Sequence, residues 1–123
     1  RSTQRIAAIQ GIADQVLRGT MIINSTVDTR EFVEQICEIK GIGEWTAYYI
    51  AMRALNDPNA FPYSDLILRR ALNVDEELTA RKLLKRSEVW QPWRAYSAIL
   101  LWKNYGATLN QKAKKITRKR KNI

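Results

Sequence analysis

The sequence predicts an all-α fold, and three observations predict it. Apolar residues recur at three- and four-residue steps through most of the chain. Glycines, an Asn-Asp-Pro-Asn turn and Ser or Asp caps separate those stretches at helix-length intervals. No segment shows the strict alternation of a half-buried strand, and no internal repeat is present.

Each element follows from its own residues. Ile6, Ile9, Ile12, Ala13, Val16 and Leu17 lie on one face of a helix over 3–18, weakened by Gly11 and stopped by Gly19. Residues 20–27 connect it to a second helix over 29–39. That helix opens on Asp28 with Glu31 three residues later, a capping-box spacing, and turns Phe32, Val33, Ile36 and Ile39 inward. Gly41-Ile42-Gly43 breaks the pattern, and a third helix runs from Glu44 to Leu55 until Asn56-Asp57-Pro58-Asn59 ends it. Ser64 can cap a helix carrying Asp65 to Leu72. A short helix fits 76–86, and the last ordered one runs from about Arg94 to Tyr105, with Gly106 as its stop. The chain thus divides into a helical segment 1–57, with a helix–hairpin–helix at about 29–55, a helical segment 58–106 and a basic tail 107–123.

Composition narrows the chemistry. With 123 residues, 46% hydrophobic and 27% charged, the chain has globular composition and the length of one ordinary domain, or of a piece of a larger one. A single cysteine, Cys37, excludes an internal disulfide, a four-cysteine zinc site and an all-cysteine iron–sulfur cluster. There is no histidine, which removes Ser-His-Asp and Cys-His nucleophile pairs and histidine metal ligation. Acid–base work falls to carboxylates, Lys, Tyr or Cys37. No apolar run approaches the ~18 residues of a membrane span. The opening Arg1-Ser2-Thr3-Gln4 has no apolar signal core, so an intracellular location (cytoplasm and nucleoid, or a nucleus) is expected.

The net charge of +9 is unevenly placed. Lys112, Lys114, Lys115, Arg118, Lys119, Arg120 and Lys121 carry seven of the 21 cations with no acid among them, which leaves +2 for the rest. Such a tail reads either as a polyanion-binding arm or as a solvated terminus.

Three features carry candidate chemistry, each with a plainer alternative. Gly41 and Gly43 flank a hairpin where the next helix begins; its free N–H groups and dipole can hold a phosphate, or the glycines simply make a tight αα-corner. Asp65 follows Pro-Tyr-Ser at a helix start, where a carboxylate can orient a water or stabilise positive charge, or merely cap the helix. Trp45 and Tyr49 share a helix face, and Trp90, Trp93, Tyr96 and Trp102 crowd the C-terminal third. They form either a slot with parallel aromatic walls or ordinary core. Cys37 reads as a small buried apolar residue.

These features occur in three ordered motifs: Ile39-Lys-Gly-Ile-Gly-Glu-Trp-Thr-Ala-Tyr-Tyr-Ile50, Phe61-Pro-Tyr-Ser-Asp-Leu-Ile67, and Trp90-Gln-Pro-Trp-Arg-Ala-Tyr96 leading to Trp102. Together they resemble the helix–hairpin–helix DNA glycosylase superfamily, and within it the DNA-3-methyladenine glycosylase II branch, from about Thr3 to Tyr105. Two positions depart from the family pattern: Lys40 replaces a usual proline before the hairpin, and Lys103 stands in place of an aromatic. The resemblance implies that Asp65 is the catalytic aspartate. It implies that Gly41, Gly43 and Thr46 bind a DNA phosphate, and that Trp45, Tyr49 and Trp102 line the base pocket. It also implies a monovalent cation on the main-chain carbonyls of Cys37, Ile39 and Ile42, and no other cofactor.

The expected activity is hydrolysis of the N-glycosidic bond of alkylated purines such as 3-methyladenine, flipped from double-stranded DNA by a monomeric enzyme. Trp45 occupies the position of the Schiff-base lysine of the strand-cleaving branch, so no strand cleavage is expected. Family members carry a further domain and helices upstream, so the chain resembles the C-terminal part of a longer glycosylase. The rival from another class is a non-catalytic DNA-binding module, in which the hairpin grips phosphates and Asp65 only caps. A basic helical RNA-binding scaffold would explain the tail but not the hairpin and its following Pro-Tyr-Ser-Asp.

Overall fold

In a computed structural model, residues 2–72 and 78–122 are described, and every regular element among them is helical. Six α-helices follow in order: α1 Ser2–Leu17, α2 Thr29–Cys37, α3 Glu44–Arg53, α4 Leu66–Ala71, α5 Ala80–Arg86 and α6 Arg94–Lys121. A 3-10 turn, Ser87–Trp90, joins α5 to the approach to α6. The caps explain the starts. Asp28 accepts the Glu31 N–H before α2, Asp65 accepts the Leu68 N–H before α4, and Thr79 accepts the Lys82 N–H before α5. Asp65, not Ser64, is therefore the N-cap of α4. The expected helix 76–86 shortens to α5 because Thr79 caps it; residues 76 and 77 lie outside the described residues.

Two apolar clusters hold these helices. The first joins Ala8, Met21, Phe32, Val33, Ile36, Ile42, Ala47, Ala51, Met52 and Leu55 with Ala60 and Ala95. The second contains Phe61, Leu68, Leu83 and Ala98. Trp102 packs against both. α2 and α3 are each other's principal partners, as are α4 and α6. The start of α6 is fixed to the turn after α3. Ala95 donates its N–H to the Pro58 carbonyl at 2.8 Å, and Arg94 Nε donates to the Asn59 carbonyl and side chain at 3.2 and 3.0 Å.

Two expectations change. The apolar stripe read on α1 is buried only in part: Ile12 packs against the first cluster, but Ile6, Ile9, Val16 and Leu17 are exposed, and Ala8 is buried. The helix meets the hairpin through small residues instead. A Cβ at Gly11 would stand 3.1 Å from Ile39 Cγ2, and one at Gly41 would stand 3.5 Å from Ala8 Cβ. Close approach selects the small face over the bulky one. Gly106, second, does not stop the last helix. α6 continues for 28 residues through it and through the basic tail, all of it exposed from Ala107 to Asn122. Among the described residues no helix is long and apolar enough to cross a membrane.

Candidate active site

The site is assembled where α3, the N-terminus of α4 and the middle of α6 converge. α2 ends at Cys37, and the chain turns through residues 38–43 before α3 begins. Within the turn, Ile42 is buried and donates its N–H to the Ile39 carbonyl at 3.1 Å, which anchors the hairpin to the first cluster. Gly41 has φ +98, a conformation that side chains with a Cβ rarely adopt. Gly43 differs: its φ of −100 suits any residue, and a Cβ there would meet open space. The expectation that both glycines serve backbone conformation thus holds for Gly41 alone. Gly43 is the N-cap of α3, and no side chain caps that helix. The N–H groups of its first turn, Thr46 among them, therefore lack a side-chain acceptor of the usual kind.

Asp65 caps α4 and receives two further hydrogen bonds from distant parts of the chain. Trp45 Nε1, from the first turn of α3, donates to Oδ1 at 2.7 Å. Trp102 Nε1, from α6, donates to Oδ2 at 3.0 Å, and the Leu68 N–H reaches the same oxygen at 2.9 Å. All three are bonds the carboxylate accepts. An ionised carboxylate offers about four lone-pair directions, so one on Oδ1 is left to face a ligand. Asp65 is half-buried, between a half-buried Trp102 and a Trp45 that is 40% exposed.

The aromatics do not form parallel walls around a gap. Trp45 and Tyr49 stack on each other, centroids 5.3 Å apart and planes 16° apart, so together they make one wall. A flat ring between two walls needs about 7 Å, twice the ~3.5 Å of a van der Waals contact. The Arg53 guanidinium lies 5.6 Å from the Tyr49 centroid and completes a column along α3. Trp102 meets Tyr49 at 6.2 Å with a 51° tilt. Trp45 remains 40% exposed beside Asp65, so part of its ring is open to a planar ligand.

A second contact ties the hairpin helix to the loop before Asp65. The Tyr63 hydroxyl donates to Glu44 Oε2 at 2.8 Å, and the Tyr63 and Tyr48 rings meet edge to face at 5.8 Å. Burial and the Glu44 hydrogen bond push the Tyr63 phenol up to about 12. Burial, then Glu44, also raises Tyr48. The same two causes raise the Cys37 thiol, which packs against the first cluster, so Cys37 is no activated nucleophile.

Known proteins resemble the chain in sequence and in fold. No family model matches it. It is 36% identical over 106 residues, or 85% of its length, to a probable bifunctional transcriptional activator/DNA repair enzyme AlkA of Mycobacterium tuberculosis. It is 35% identical over 74 residues, or 57% of its length, to a DNA-3-methyladenine glycosylase of Bacillus subtilis. The solved structure of the Schizosaccharomyces pombe 3-methyladenine DNA glycosylase Mag1, in complex with abasic DNA, superposes with a TM-score of 0.73 at 28% identity over 81% of this chain. The chain is a homologue of the DNA-3-methyladenine glycosylases. It spans 21% and 24% of the lengths of the two curated relatives and 52% of the solved Mag1 chain.

Within this glycosylase-like frame the structure gathers Asp65, Trp45, Tyr49 and Trp102 into one cluster. Gly41, Gly43 and Thr46 lie in the turn and first turn of α3 that deliver Trp45 to it. Cys37 ends α2, and Ile39 and Ile42 lie in the turn itself, Ile42 between the two glycines. Sequence reasoning missed the Glu44–Tyr63 tether and the Arg53–Tyr49 contact. The first had no local signal, since the partners are 19 residues apart. The second was legible, because Tyr49 and Arg53 are four apart on one helix.

Proposed function

We propose that this chain carries the catalytic aspartate and hairpin of a monofunctional DNA glycosylase, which hydrolyses the N-glycosidic bond of a flipped alkylated purine such as 3-methyladenine. One observation carries the reading. A half-buried carboxylate on a helix N-terminus is held from both sides by indole N–H groups of α3 and α6. A purely capping aspartate needs only its Leu68 bond. The names of the relatives and the abasic DNA bound by the Mag1 neighbour agree with it.

The chemistry follows from the residues. Departure of the base leaves oxocarbenium character on the sugar, as in glycoside hydrolysis. Asp65, with its remaining lone pair, stabilises that charge and orients the attacking water. A purine alkylated at N3 or N7 is already cationic and leaves without a general acid, which suits a chain without histidine. The exposed face of Trp45 stacks the electron-poor ring. Tryptophan cannot form a Schiff base, so base release proceeds without strand cleavage.

DNA is the partner, bound by one copy of the enzyme in a compartment that holds DNA. A phosphate meets the free N–H groups at the start of α3, and the open space beside Gly43 gives a reason for glycine that its φ does not. No cluster of three or more acidic, cysteine or histidine side chains among the described residues could hold a metal. The hairpin offers main-chain oxygens instead, the donors a monovalent cation prefers. The Ile39 carbonyl already accepts the Ile42 N–H, which leaves it one lone pair. Cys37, Ile39 and Ile42 would hold the cation, whose charge would help fix a phosphate at the hairpin.

Asp65→Asn tests the reading, because asparagine caps a helix about as well as aspartate. Base release from alkylated DNA should fall by ~10²-fold or more with DNA affinity retained. The amide NH2 faces one of the indole donors, so stability should fall by about 1–3 kcal/mol. Wild-type-like release by the variant would overturn the role of Asp65, whereas no release by the unsubstituted protein would favour the rival, a non-catalytic DNA-binding module. Borohydride should trap no adduct.

A further inference from the structure

The C-terminal half of α6 is not a loose terminus but a cationic rod whose placement is set at the site. It continues without interruption from the turn that carries Trp102, and Trp102 is locked by its bond to Asp65 and by both apolar clusters. From Ala107 to Asn122 every residue is exposed, so the rod touches nothing that would neutralise its charge. Its seven cations, at 112, 114, 115, 118, 119, 120 and 121, have no acid among them. At ~100° per residue they surround the helix, so it presents positive charge at any rotation about its axis.

We propose that this rod is a second DNA-backbone surface, which lies along the duplex to one side of the damaged base and grips its phosphates. The inference rests on the glycosylase reading for the location of the base, at Asp65. Charge complementarity names the occupant. A duplex carries one negative charge per ~1.7 Å of axis, and a rod with seven cations in ten residues matches that density closely. At a rise of ~1.5 Å per residue, Lys112 lies about 15 Å beyond Trp102 along the axis and Lys121 about 28 Å. With ~3.4 Å per base pair, a rod along the duplex covers roughly base pairs four to eight from the lesion. A flexible tail of the same charge would also raise affinity, but on either side of the lesion. The rigid connection through Trp102 restricts the grip to one side.

The test compares the wild-type chain with a variant carrying K112Q, K115Q, R118Q and K119Q, using undamaged and abasic duplexes in salt titrations. Glutamine keeps helix propensity, and a far-UV circular dichroism spectrum checks that α6 persists. The log–log salt slope should flatten by two to three, about 0.9 for each phosphate no longer neutralised. Abasic duplexes shortened to three base pairs on one flank should bind the wild-type chain at least ten-fold more weakly. Shortening the other flank should change little, and the variant should respond to neither. The charge-preserving set K112R, K115R, R118K and K119R should restore slope and asymmetry. An unchanged slope, or equal weakening from both flanks, overturns the inference. So does a variant whose binding to vesicles of 30% phosphatidylserine falls while its duplex binding does not. Because the readout is binding, it stands apart from base release: failed release with an intact slope and asymmetry refutes the glycosylase reading alone.

Discussion

Trp45 Nε1 and Asp65 Oδ1 are 2.7 Å apart, a hydrogen bond that joins the first turn of α3 to the first residue before α4. Trp102 supplies its counterpart at 3.0 Å on the other oxygen. Removing either donor loosens the carboxylate, which keeps its Leu68 bond and the other indole. Trp45→Phe and Trp102→Phe keep a flat apolar ring and lose only the N–H and the second ring. Hydrogen bonds to charged groups contribute about 1.5–3 kcal/mol, so each change should slow single-turnover base release by roughly 10- to 100-fold. Trp102→Phe should also lower stability by about 1–2 kcal/mol, because Trp102 packs against both clusters and Trp45 is 40% exposed. The double variant should lose less than the sum of the two free energies, since both act through one carboxylate. Additive losses would mean that the indoles serve base stacking separately from Asp65.

The two hairpin glycines should respond in opposite ways. Gly41→Ala forces a φ of +98 on a residue with a Cβ, which would itself make ordinary contact with Gln4 and Ala8. A loss of about 1–3 kcal/mol in denaturant unfolding is expected. Gly43→Ser meets open space and supplies the side-chain cap that α3 lacks. It should hold or raise stability by a few tenths of a kcal/mol. The same hydroxyl would occupy the N–H groups proposed for a phosphate, so duplex affinity should fall while the fold gains. Unaltered affinity in Gly43→Ser would remove α3's N-terminus from the DNA interface.

The Tyr63–Glu44 tether gives the chain an alkaline limit. Folding raises the Tyr63 pKa from 10.0 to about 12, so between those values the unfolded chain has lost a proton that the folded chain keeps. Stability must then fall as pH rises, fully present below pH 10 and lost by about pH 12. In an ultraviolet titration, one of the five tyrosines should ionise late, near 12, and Tyr63→Phe should remove that late step. It should also flatten the fall in stability over this window. The same late step in Tyr63→Phe would assign it to Tyr48, which burial also raises.

Much of this arrangement was legible in the sequence because it depends on neighbours along the chain. Asp28 with Glu31 is a cap three residues long, and Trp45 with Tyr49 is a pair on one helix face. What could not be read depends on packing at long range. Which face of α1 is buried depends on its approach to the hairpin, where a Cβ at Gly11 would crowd Ile39 and one at Gly41 would touch Gln4 and Ala8. That Trp45 and Trp102 share one carboxylate requires contacts across 20 and 37 residues. The stacking of Trp45 directly on Tyr49, which closes the expected slot, depends on ring orientation, and spacing does not encode that.

Gly106 is where local reading and structure diverge most, and the divergence can be measured. A glycine after Tyr105 carries the signature of a helix stop, yet α6 passes through it in helical conformation. Nothing lies within 4 Å of a Cβ placed there, so no contact requires the glycine. It contributes only its low helix propensity, and Gly106→Ala should stabilise the helix by about 0.8–1.0 kcal/mol. Downstream of Gly106 every described residue of the rod is exposed, and it carries seven like charges. The four that end the helix, Arg118 to Lys121, suit the negative end of its dipole, but the rest repel one another. Its helix content should therefore rise with added salt, as screening weakens that repulsion, and rise again in Gly106→Ala at low salt. Far-UV circular dichroism at 222 nm measures both. Gly106→Pro removes an N–H and clashes with the carbonyl four residues back, so it should uncouple the rod from Trp102. That variant keeps all seven cations. If it binds DNA as tightly as the wild-type chain and with the same one-sided dependence on flank length, rigidity contributes nothing and charge alone suffices.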